Sequence, residues 1–247
     1  MEIEARGLTK TFGAVKAVRD LNLQVQRGTI FGFLGPNGSG KSTTVKMLTG
    51  LLEPTAGEVV VAGELVSIEN TRLKSMIGVL PEENALFRSL TIWEHLELCG
   101  PIYGLSRIET EERAGQLLRH LDLWRDRWTY VDQASFGMRK KCALAMALLH
   151  NPRVLFLDEP FEGIDPGSSR NIKDLLQLLA QRSITIFLTS HILEVVERLV
   201  QQYAIIVDGQ IVCCNTIEET VSAGTTLEDV YFKYAGKPEA EEFSWLK

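Results

Sequence analysis

Apolar and polar positions follow two different periods along the chain, and together they predict an α/β fold. Leu21, Leu23 and Val25 alternate with polar residues, as in a strand that is buried on one face. Continuous apolar runs instead predict strands of a buried, mainly parallel sheet, with hairpins mixed in near the start of the chain. Such runs occupy residues 30–34, 153–157, 184–189 and 203–207, and residues 58–62 and 76–80 are predicted to form further strands.

A different pattern lies between residues 91 and 124, where apolar residues recur at helical spacing. Trp93, Leu96, Tyr103, Leu117 and Leu121 are among them. We therefore predict a helical insertion over about residues 90–149. It belongs to a single domain over residues 1–236, which is followed by a charged C-terminal tail over residues 237–247.

Composition and charge restrict the function classes. The 247 residues are 45% hydrophobic and 23% charged, which suffices for one large domain. The net charge of −6 argues against a nucleic-acid partner, because such a partner calls for a basic surface. The four cysteines have neither metal-ligand spacing nor a C-x-x-C pair, which indicates a reducing, cytosolic setting. Since no apolar run reaches the roughly 18 to 20 residues of a membrane span, we expect any membrane role to be peripheral and to depend on a partner.

The most informative motif is Gly-Pro-Asn-Gly-Ser-Gly-Lys-Ser at residues 35–42, between a predicted strand and a helix-compatible stretch. It fills every fixed position of a phosphate-binding loop, which disfavours an incidental glycine-rich turn. Glycines leave backbone N–H groups open to a phosphate, Lys41 can reach the β- and γ-phosphates, and Ser42 can bind Mg²⁺. The predicted nucleotide-binding residues here are Gly35, Pro36, Asn37, Gly38, Ser39, Gly40, Lys41, Ser42 and Thr43.

Two carboxylates form a second motif at the end of the apolar run at residues 154–157. Ligand chemistry in open α/β sheets lies at such strand ends. We expect Asp158 to hold Mg²⁺ opposite Ser42, and Glu159 to accept a proton from an attacking water. The alternative, an ordinary strand end with solvated acids, is disfavoured once the phosphate loop is considered.

With these motifs in place, the chain resembles the ATP-binding subunits of ABC transporters from residue 8 to about residue 234. Residues 163–166 resemble the D-loop of that family, residues 189–191 its switch histidine, and residues 133–140 stand where its signature belongs. The Gly-Met-Arg wording at 137–139 and the stretches 81–87 and 227–232 are similar to exporter ATPases of the drug- and polysaccharide-resistance type.

The resemblance implies a P-loop NTPase fold of ABC type, in which a mainly parallel core carries an antiparallel β subdomain and a helical subdomain. It implies an ATPase that uses ATP and Mg²⁺ and that has Lys41, Glu159 and His191 as catalytic residues. Phe12 is expected to stack on adenine, although a Phe after a strand also suits a core position. Asp165 resembles a residue that reaches across a dimer, and a turn acid before a proline is the local alternative.

The same resemblance implies two partners. One is a second ATPase protomer, identical or different, whose signature residues Ser135, Phe136, Gly137 and Met138 close over the ATP. The other is an integral-membrane permease subunit, which places the chain at the cytoplasmic face of the membrane. We expect permease contacts over residues 82–93, with Phe87 and Trp93 exposed, or else packed in the core of the helical subdomain.

Two departures from the family pattern affect the predicted site. Glu82 replaces a usual glutamine, so it keeps an oxygen ligand for Mg²⁺ and should make activity more dependent on Mg²⁺. Phe136 replaces the first glycine of the signature, and its ring is expected to obstruct the close approach of phosphate. This predicts either a slow homodimer or a heterodimer whose partner supplies an intact signature.

The sequence favours a subunit that binds and hydrolyses ATP to energise a separate permease, in particular an exporter. One alternative is a regulatory or degenerate ABC ATPase bound to a membrane complex, which only the altered signature favours. Another is a soluble ABC ATPase without a transport role. The ribosome-associated type carries two modules and the chromosome type a long coiled coil, and this sequence shows neither. The substrate and the direction of transport leave no trace in the sequence.

Overall fold

Two β-sheets and flanking helices make up the part of the chain that the computed structural model describes, residues 1–82 and 86–236. The strands are β1 (Ile3–Phe12), β2 (Val15–Val25), β3 (Ile30–Leu34), β4 (Ala56–Val61), β5 (Glu64–Leu65), β6 (Ile77–Leu80), β7 (Val154–Asp158), β8 (Thr185–Ser190), β9 (Gln202–Val207) and β10 (Gln210–Thr216). The helices are α1 (Lys41–Leu48), α2 (Thr71–Met76), α3 (Ile92–Ile102), α4 (Arg107–His120), α5 (Phe136–Leu148), α6 (Pro166–Gln181), α7 (Leu193–Glu197), α8 (Ile217–Ser222) and α9 (Leu227–Ala235). The predicted α/β class is confirmed.

The first sheet is antiparallel and has the strand order β2-β1-β4-β5. In it Ile3 lies opposite both Val25 and Val61. The alternation predicted at residues 21–25 is confirmed, because the apolar side chains there are buried and the polar ones between them are exposed. They share a hydrophobic core with Phe31 and Phe33 of β3, so this sheet covers one face of the second sheet.

The second sheet has the order β10-β9-β3-β8-β7-β6. Its strands β9, β3, β8, β7 and β6 run parallel, and β10 is the antiparallel edge. The predicted parallel core is therefore confirmed, although the run predicted at 76–80 begins as a strand only at Ile77, because Met76 ends α2. Four neighbouring strands, β3, β8, β7 and β6, have their carboxyl ends at one edge of the sheet. The phosphate loop, Glu82, the Asp158–Glu159 pair and the motif at 189–191 lie at these ends, whereas the signature segment begins α5 and Phe12 ends β1 of the first sheet.

The segment predicted to be helical contains α3, α4 and α5. Thr91 and Ser106 begin α3 and α4 with capping boxes, in which each hydroxyl accepts from a backbone N–H and a glutamate bonds back. Leu96 of α3 and Leu118 of α4 are fully buried in the larger hydrophobic core. The helices therefore pack together on the side of the second sheet that faces away from the antiparallel sheet.

The domain limits at residues 1–236 and 90–149 stay predictions, and the tail at 237–247 lies outside the described residues. Within the described residues, no helix is both long and apolar enough to span a bilayer.

Candidate active site

A cleft of about 250 Å³ lies where β3, β7 and β6 end, and it brings together residues from both predicted motifs. Its walls come from the phosphate loop, from the two carboxylates after β7, from Glu82 after β6 and from one residue of β2. The lining residues are Ala17, Asn37, Gly38, Gly40, Lys41, Ser42, Thr43, Glu82, Asp158 and Glu159.

The phosphate loop needs glycine at two positions for steric reasons. A Cβ atom at Gly35 would lie 2.3 Å from the carbonyl oxygen of Ile206, and one at Gly40 would lie 2.5 Å from that of Ala17. Gly40 also has a φ of 105°, which a side chain disfavours. Because no side chain of the described residues caps α1 at Gly40, the amides of its first turn and the positive end of its dipole are available to an anion.

Two polar groups of the loop fit a phosphate ligand. The buried hydroxyl oxygen of Ser39 has no hydrogen-bond partner among the described residues. The ammonium of Lys41 donates to the carbonyl oxygens of Gly35 at 2.8 Å and Pro36 at 3.1 Å. Burial lowers the pKa of Lys41, while the carboxylates of Glu159 and Asp158 oppose that shift. A bound phosphate would give both groups a negatively charged partner.

The carboxylates of Asp158 and Glu159 are nearly buried, with 4% and 7% of each residue exposed. The hydroxyl of Thr189 on β8 donates to Oδ1 of Asp158 and accepts from the backbone N–H of Glu159 at 3.0 Å. Thr189 therefore fixes both acids relative to the neighbouring strand. Thr189 belongs to the switch motif of the sequence, but this role is not visible there, since its partners lie 30 and 31 residues away along the chain.

His191 follows β8 and contacts the predicted base. Its Nδ1 lies 3.0 Å from Oε2 of Glu159, and its backbone N–H donates to the same oxygen at 3.3 Å. About half of the His191 side chain is exposed, whereas that of Glu159 is 9% exposed. The histidine can therefore orient the carboxylate from the solvent side of the cleft.

The oxygen atoms near Ser42 suit a hard divalent cation. The hydroxyl of Ser42 donates to Oε2 of Glu82 at 3.4 Å, and Asp158 lines the same cleft. Over the described residues, no three His, Cys, Asp or Glu side chains form a ready metal site. Mg²⁺ commonly uses one or two carboxylates and takes its other ligands from water and substrate phosphates, so this donor set fits Mg²⁺ bound together with a nucleotide.

The segment that resembles the signature begins α5. Ser135 is the N-cap, and its hydroxyl accepts from the backbone N–H of Met138 at 3.2 Å, which confirms the predicted cap. The structure shows what the Phe136 ring contacts within its own chain, and the expected obstruction of phosphate stays a prediction. A Cβ atom at Gly163 would lie only 2.5 Å from this ring, so the ring packs against the D-loop of its own chain. It fits there because Gly163 has no side chain.

Asp165 and Phe12 lie outside the cleft lining. Asp165 is the N-cap of α6 and accepts from the backbone N–H of Ser168 at 2.9 Å. Hydrogen bonds from the Ser168 side chain and backbone lower the pKa of Asp165. Phe12 ends β1 with half of its surface exposed, and the Lys10 ammonium lies 5.2 Å from its ring centroid. Their roles toward a second protomer and toward adenine stay predictions.

The two aromatic residues expected at a permease contact differ in exposure. Phe87 is 60% exposed. Trp93 is half-buried, and its ring centroid lies 6.0 Å from that of Trp124 and 5.8 Å from that of Trp128. Phe87 therefore suits the docking interpretation, whereas Trp93 suits the core alternative. Glu83, Asn84 and Ala85, within the same segment, lie outside the described residues.

Two further residues contribute to the site without a signal in the sequence. Ala17 lines the cleft through backbone proximity to Gly40, which no side-chain pattern could reveal. Lys140 lies within a basic cluster in the sequence, yet it is 1% exposed and its ammonium donates to the backbone carbonyl of Glu159. A run of basic residues usually indicates a solvated surface, and the buried partner was not visible in the sequence.

Comparisons with known proteins agree with this geometry. The ABC transporter family model matches residues 18–162. Linearmycin resistance ATP-binding protein LnrL of Bacillus subtilis (strain 168) is 35% identical over 87% of this chain and 69% of its own length. Bacitracin transport ATP-binding protein BcrA of Bacillus licheniformis is 37% identical over 85% of this chain and 68% of its own length.

A solved structure of similar fold contains the products of ATP hydrolysis. It is a dimeric ATP-binding cassette in a post-hydrolysis state, bound to ADP and Pi, with a TM-score of 0.81 and 25% identity over 87% of this chain and 98% of its own. The predicted P-loop NTPase fold of ABC type is confirmed. The chain therefore belongs to the ABC transporter family, and it is an ATP-binding and ATP-hydrolysing subunit of such a transporter.

Proposed function

We propose that this chain hydrolyses Mg²⁺-bound ATP at an interface between two protomers, and that it thereby drives a separate membrane permease that exports an antibiotic-like compound. The observation that carries the proposal is the carboxylate of Glu159, which His191 holds at the edge of the phosphate-loop cleft. A base in this position is what ATP hydrolysis requires and what mere nucleotide binding does not.

Each residue of the cleft has a distinct part in the proposed reaction. The loop amides and Lys41 bind the phosphates, so the ammonium exchanges its carbonyl partners for phosphate oxygens. Glu159 accepts the proton of the attacking water, and His191 holds its carboxylate in the required direction. Ser42, Asp158 and Glu82 would hold Mg²⁺, which would neutralise the charge that develops in phosphoryl transfer.

A second protomer completes the site in this proposal. Ser135 is exposed at the N-terminus of α5, where the helix dipole favours the charge of a γ-phosphate. A relative of similar fold forms a dimer bound to ADP and Pi. Antiparallel pairing of two protomers would give two composite sites by symmetry, whether the second chain is identical or different.

A groove of about 280 Å³ is the proposed docking site for the permease, and it extends the expected contact surface beyond the segment 82–93, none of whose described residues lines it. It is lined by apolar residues of α3, α5, β6 and the turn after α1, among them Leu51 at 62% exposure. Val79 of β6 lines the groove three residues before Glu82, which lines the cleft. This continuity favours a short amphipathic helix of the permease as the occupant, with an acidic group near Lys74 at the rim.

The proposed export and the proposed location at the cytoplasmic face are not argued from the geometry of the site. Export is argued from the names of the relatives. The printed names of LnrL and BcrA refer to linearmycin resistance and to bacitracin transport. Resistance to a toxic compound is most simply served by its removal from the cell. ATP and a reducing environment for the four free cysteines would both be present at the cytoplasmic face of the membrane.

The test is purification of the tagged chain from detergent-solubilised membranes of its native cells, followed by identification of the co-purifying subunits. The proposal expects a polytopic permease, and it expects Leu51→Asp to lose that subunit while ATP binding is kept. Leu65→Asp is the matched control, because Leu65 is 58% exposed but lies on β5, outside the groove.

Two outcomes would contradict the proposal. Co-purification of ribosomes or DNA instead of a permease would indicate a soluble ABC ATPase. A permease that transports its substrate unchanged when the subunit carries Glu159→Gln would indicate a regulatory subunit that does not power transport.

A further inference from the structure

Lys140 is a buried cation that lies next to the catalytic base. It sits in the second turn of α5 and is 1% exposed. Its ammonium donates to the backbone carbonyl of Glu159 and, at 3.2 Å, to that of Glu162. The carboxylate of Glu162 is also near, at 3.9 Å. A buried ammonium without such partners would be strongly unfavourable, so this contact holds the helix to the turn after β7.

Burial lowers the pKa of Lys140, whereas the carboxylates of Glu162 and Glu159 oppose that shift. Two backbone carbonyls and a partly exposed carboxylate therefore keep the ammonium in place. Lys141, the next residue, is also buried but donates to the hydroxyl of Ser168 on α6, at 3.3 Å. Only the first of these two lysines reaches the base.

The backbone of Glu159 is held on both sides of its Cα atom. Its φ is 50°, in the left-handed region that residues with a side chain seldom adopt. Its N–H donates to Thr189 on β8, and its carbonyl accepts from Lys140 on α5. Because these two contacts fix the peptide planes next to the Cα atom, they also fix the direction in which the carboxylate leaves the backbone.

Phe136 covers this contact. The Lys140 ammonium lies 5.3 Å from the centroid of its ring, and the ring packs against Gly163. The ring thus lies beside the buried ammonium, with Phe136 itself 42% exposed, and adds a cation–π contact. The residue that departs from the signature pattern therefore joins the N-terminus of α5 to the turn that carries the base.

We propose that Lys140 is a positioning residue that fixes the carboxylate of Glu159 by holding its backbone carbonyl, and that Phe136 shields this contact. The N-terminus of α5, which carries the signature, is thereby connected to the base of the same chain. A displacement of α5 moves the ammonium and so changes the direction of the carboxylate. Neither side chain lines the phosphate-loop cleft of its own chain, so the proposed effect on Glu159 does not need a contact with the ATP bound there.

The test compares Lys140→Met, Lys140→Gln and Lys141→Met in the full chain. Methionine keeps the length but donates no hydrogen bond, and glutamine keeps a shorter neutral donor. We expect kcat to fall at least about tenfold in Lys140→Met and by a smaller factor in Lys140→Gln, with KM and Kd for ATP within about threefold of the wild type. Lys141→Met is expected to keep kcat within about threefold, because it removes a buried charge from the same helix without touching Glu159.

A merely structural role predicts other results. Equal losses of kcat in Lys140→Met and Lys141→Met, or a KM that rises in proportion to the loss of kcat, would overturn the proposal. If Lys140→Met does not fold, Lys140→Gln still tests the proposal. A wild-type kcat in Lys140→Gln would show that the Lys140 contacts to the carbonyls of Glu159 and Glu162 are not required. In a Glu159→Gln background, Lys140→Met should lower the residual rate no further, and an additional tenfold loss would also overturn it.

Discussion

Nδ1 of His191 lies 3.0 Å from Oε2 of Glu159, and the backbone N–H of His191 donates to the same oxygen at 3.3 Å. The two residues follow β8 and β7, which are neighbouring parallel strands. One carboxylate oxygen of Glu159 is therefore held twice by His191, so the proposed base and the proposed switch histidine are in direct contact.

The pairing of these residues predicts a non-additive effect of mutation. His191→Ala should lower kcat by about 10- to 100-fold, because it removes a hydrogen bond to a charged group that contributes about 1.5–3 kcal/mol. The same change in a Glu159→Gln background should have little further effect, because the base is already absent. Phosphate release by the two single variants and the double variant measures this coupling. Independent, multiplicative losses would show that the two residues do not act together.

The position of Glu82 in the cleft leads us to expect that this residue affects how the ATPase rate depends on Mg²⁺ concentration. Its Oε2 accepts from the Ser42 hydroxyl at 3.4 Å, and it lines the cleft together with Asp158 and Glu159. Three carboxylates near one phosphate site repel the nucleotide unless a cation neutralises them. Glu82→Gln should therefore leave ATP affinity at saturating Mg²⁺ similar and shift the Mg²⁺ optimum of the ATPase rate. A Mg²⁺ titration that is unchanged in the variant would reject a role for Glu82 at the metal.

Phe136→Gly tests whether the ring obstructs the site or supports it. The ring lies against Gly163 of the same chain and over the Lys140 ammonium. We therefore expect no gain in ATPase rate and a loss of up to about tenfold, as the contact becomes solvated. Phe136→Leu, which keeps an apolar cover, should lose less. A large gain in ATPase rate in Phe136→Gly would instead support the prediction from the sequence that the ring obstructs the approach of phosphate.

His150 predicts part of the pH dependence of stability. Its ring stacks on Tyr103 at 3.8 Å, and Nε2 bonds to the carbonyl of Ile77 at 2.9 Å. Burial lowers the pKa of His150 below its ordinary value of 6.5. Because the unfolded state takes up the proton first, the free energy of unfolding should fall as the pH drops below 6.5.

Urea denaturation at several pH values between about 5 and 7.5 measures this fall, across the usual range of histidine titration. His150→Phe keeps the stacking and cannot be protonated, so its stability should depend less on pH in this range. The exposed His120, changed to Phe, is the control that should keep the wild-type slope. An identical slope in His150→Phe would contradict the burial argument.

The sequence predicted those elements whose pattern reflects their own burial. Most of the apolar runs became the buried strands of the second sheet, while the run at 58–62 became part of β4 in the first sheet. The capped segment at Ser135 became α5. Strand β10 and the two-residue β5 were not predicted, because these edge strands are mostly exposed and carry no continuous apolar run. The edge of a sheet can be polar, so its strands are defined by pairing partners rather than by composition.

The phosphate loop and the carboxylates could be placed in one cleft because strand ends of a parallel sheet share an edge. The position of the Phe136 ring could not be predicted from the sequence, because it depends on the space left by Gly163, 27 residues further along the chain. The burial of Lys140 depends in the same way on two backbone carbonyls of a distant turn. Such contacts are set by tertiary packing, which no local pattern records.

The most direct test of the account follows nucleotide binding and phosphate release by the purified chain, with its partner subunit, as wild type and as Glu159→Gln. The account predicts that the variant binds ATP in Mg²⁺ buffer as the wild type does, while its rate of phosphate release falls by about 10² to 10⁴, the typical contribution of a general base. Phosphate release at the wild-type rate in Glu159→Gln, or no detectable ATP binding by either protein, would contradict it.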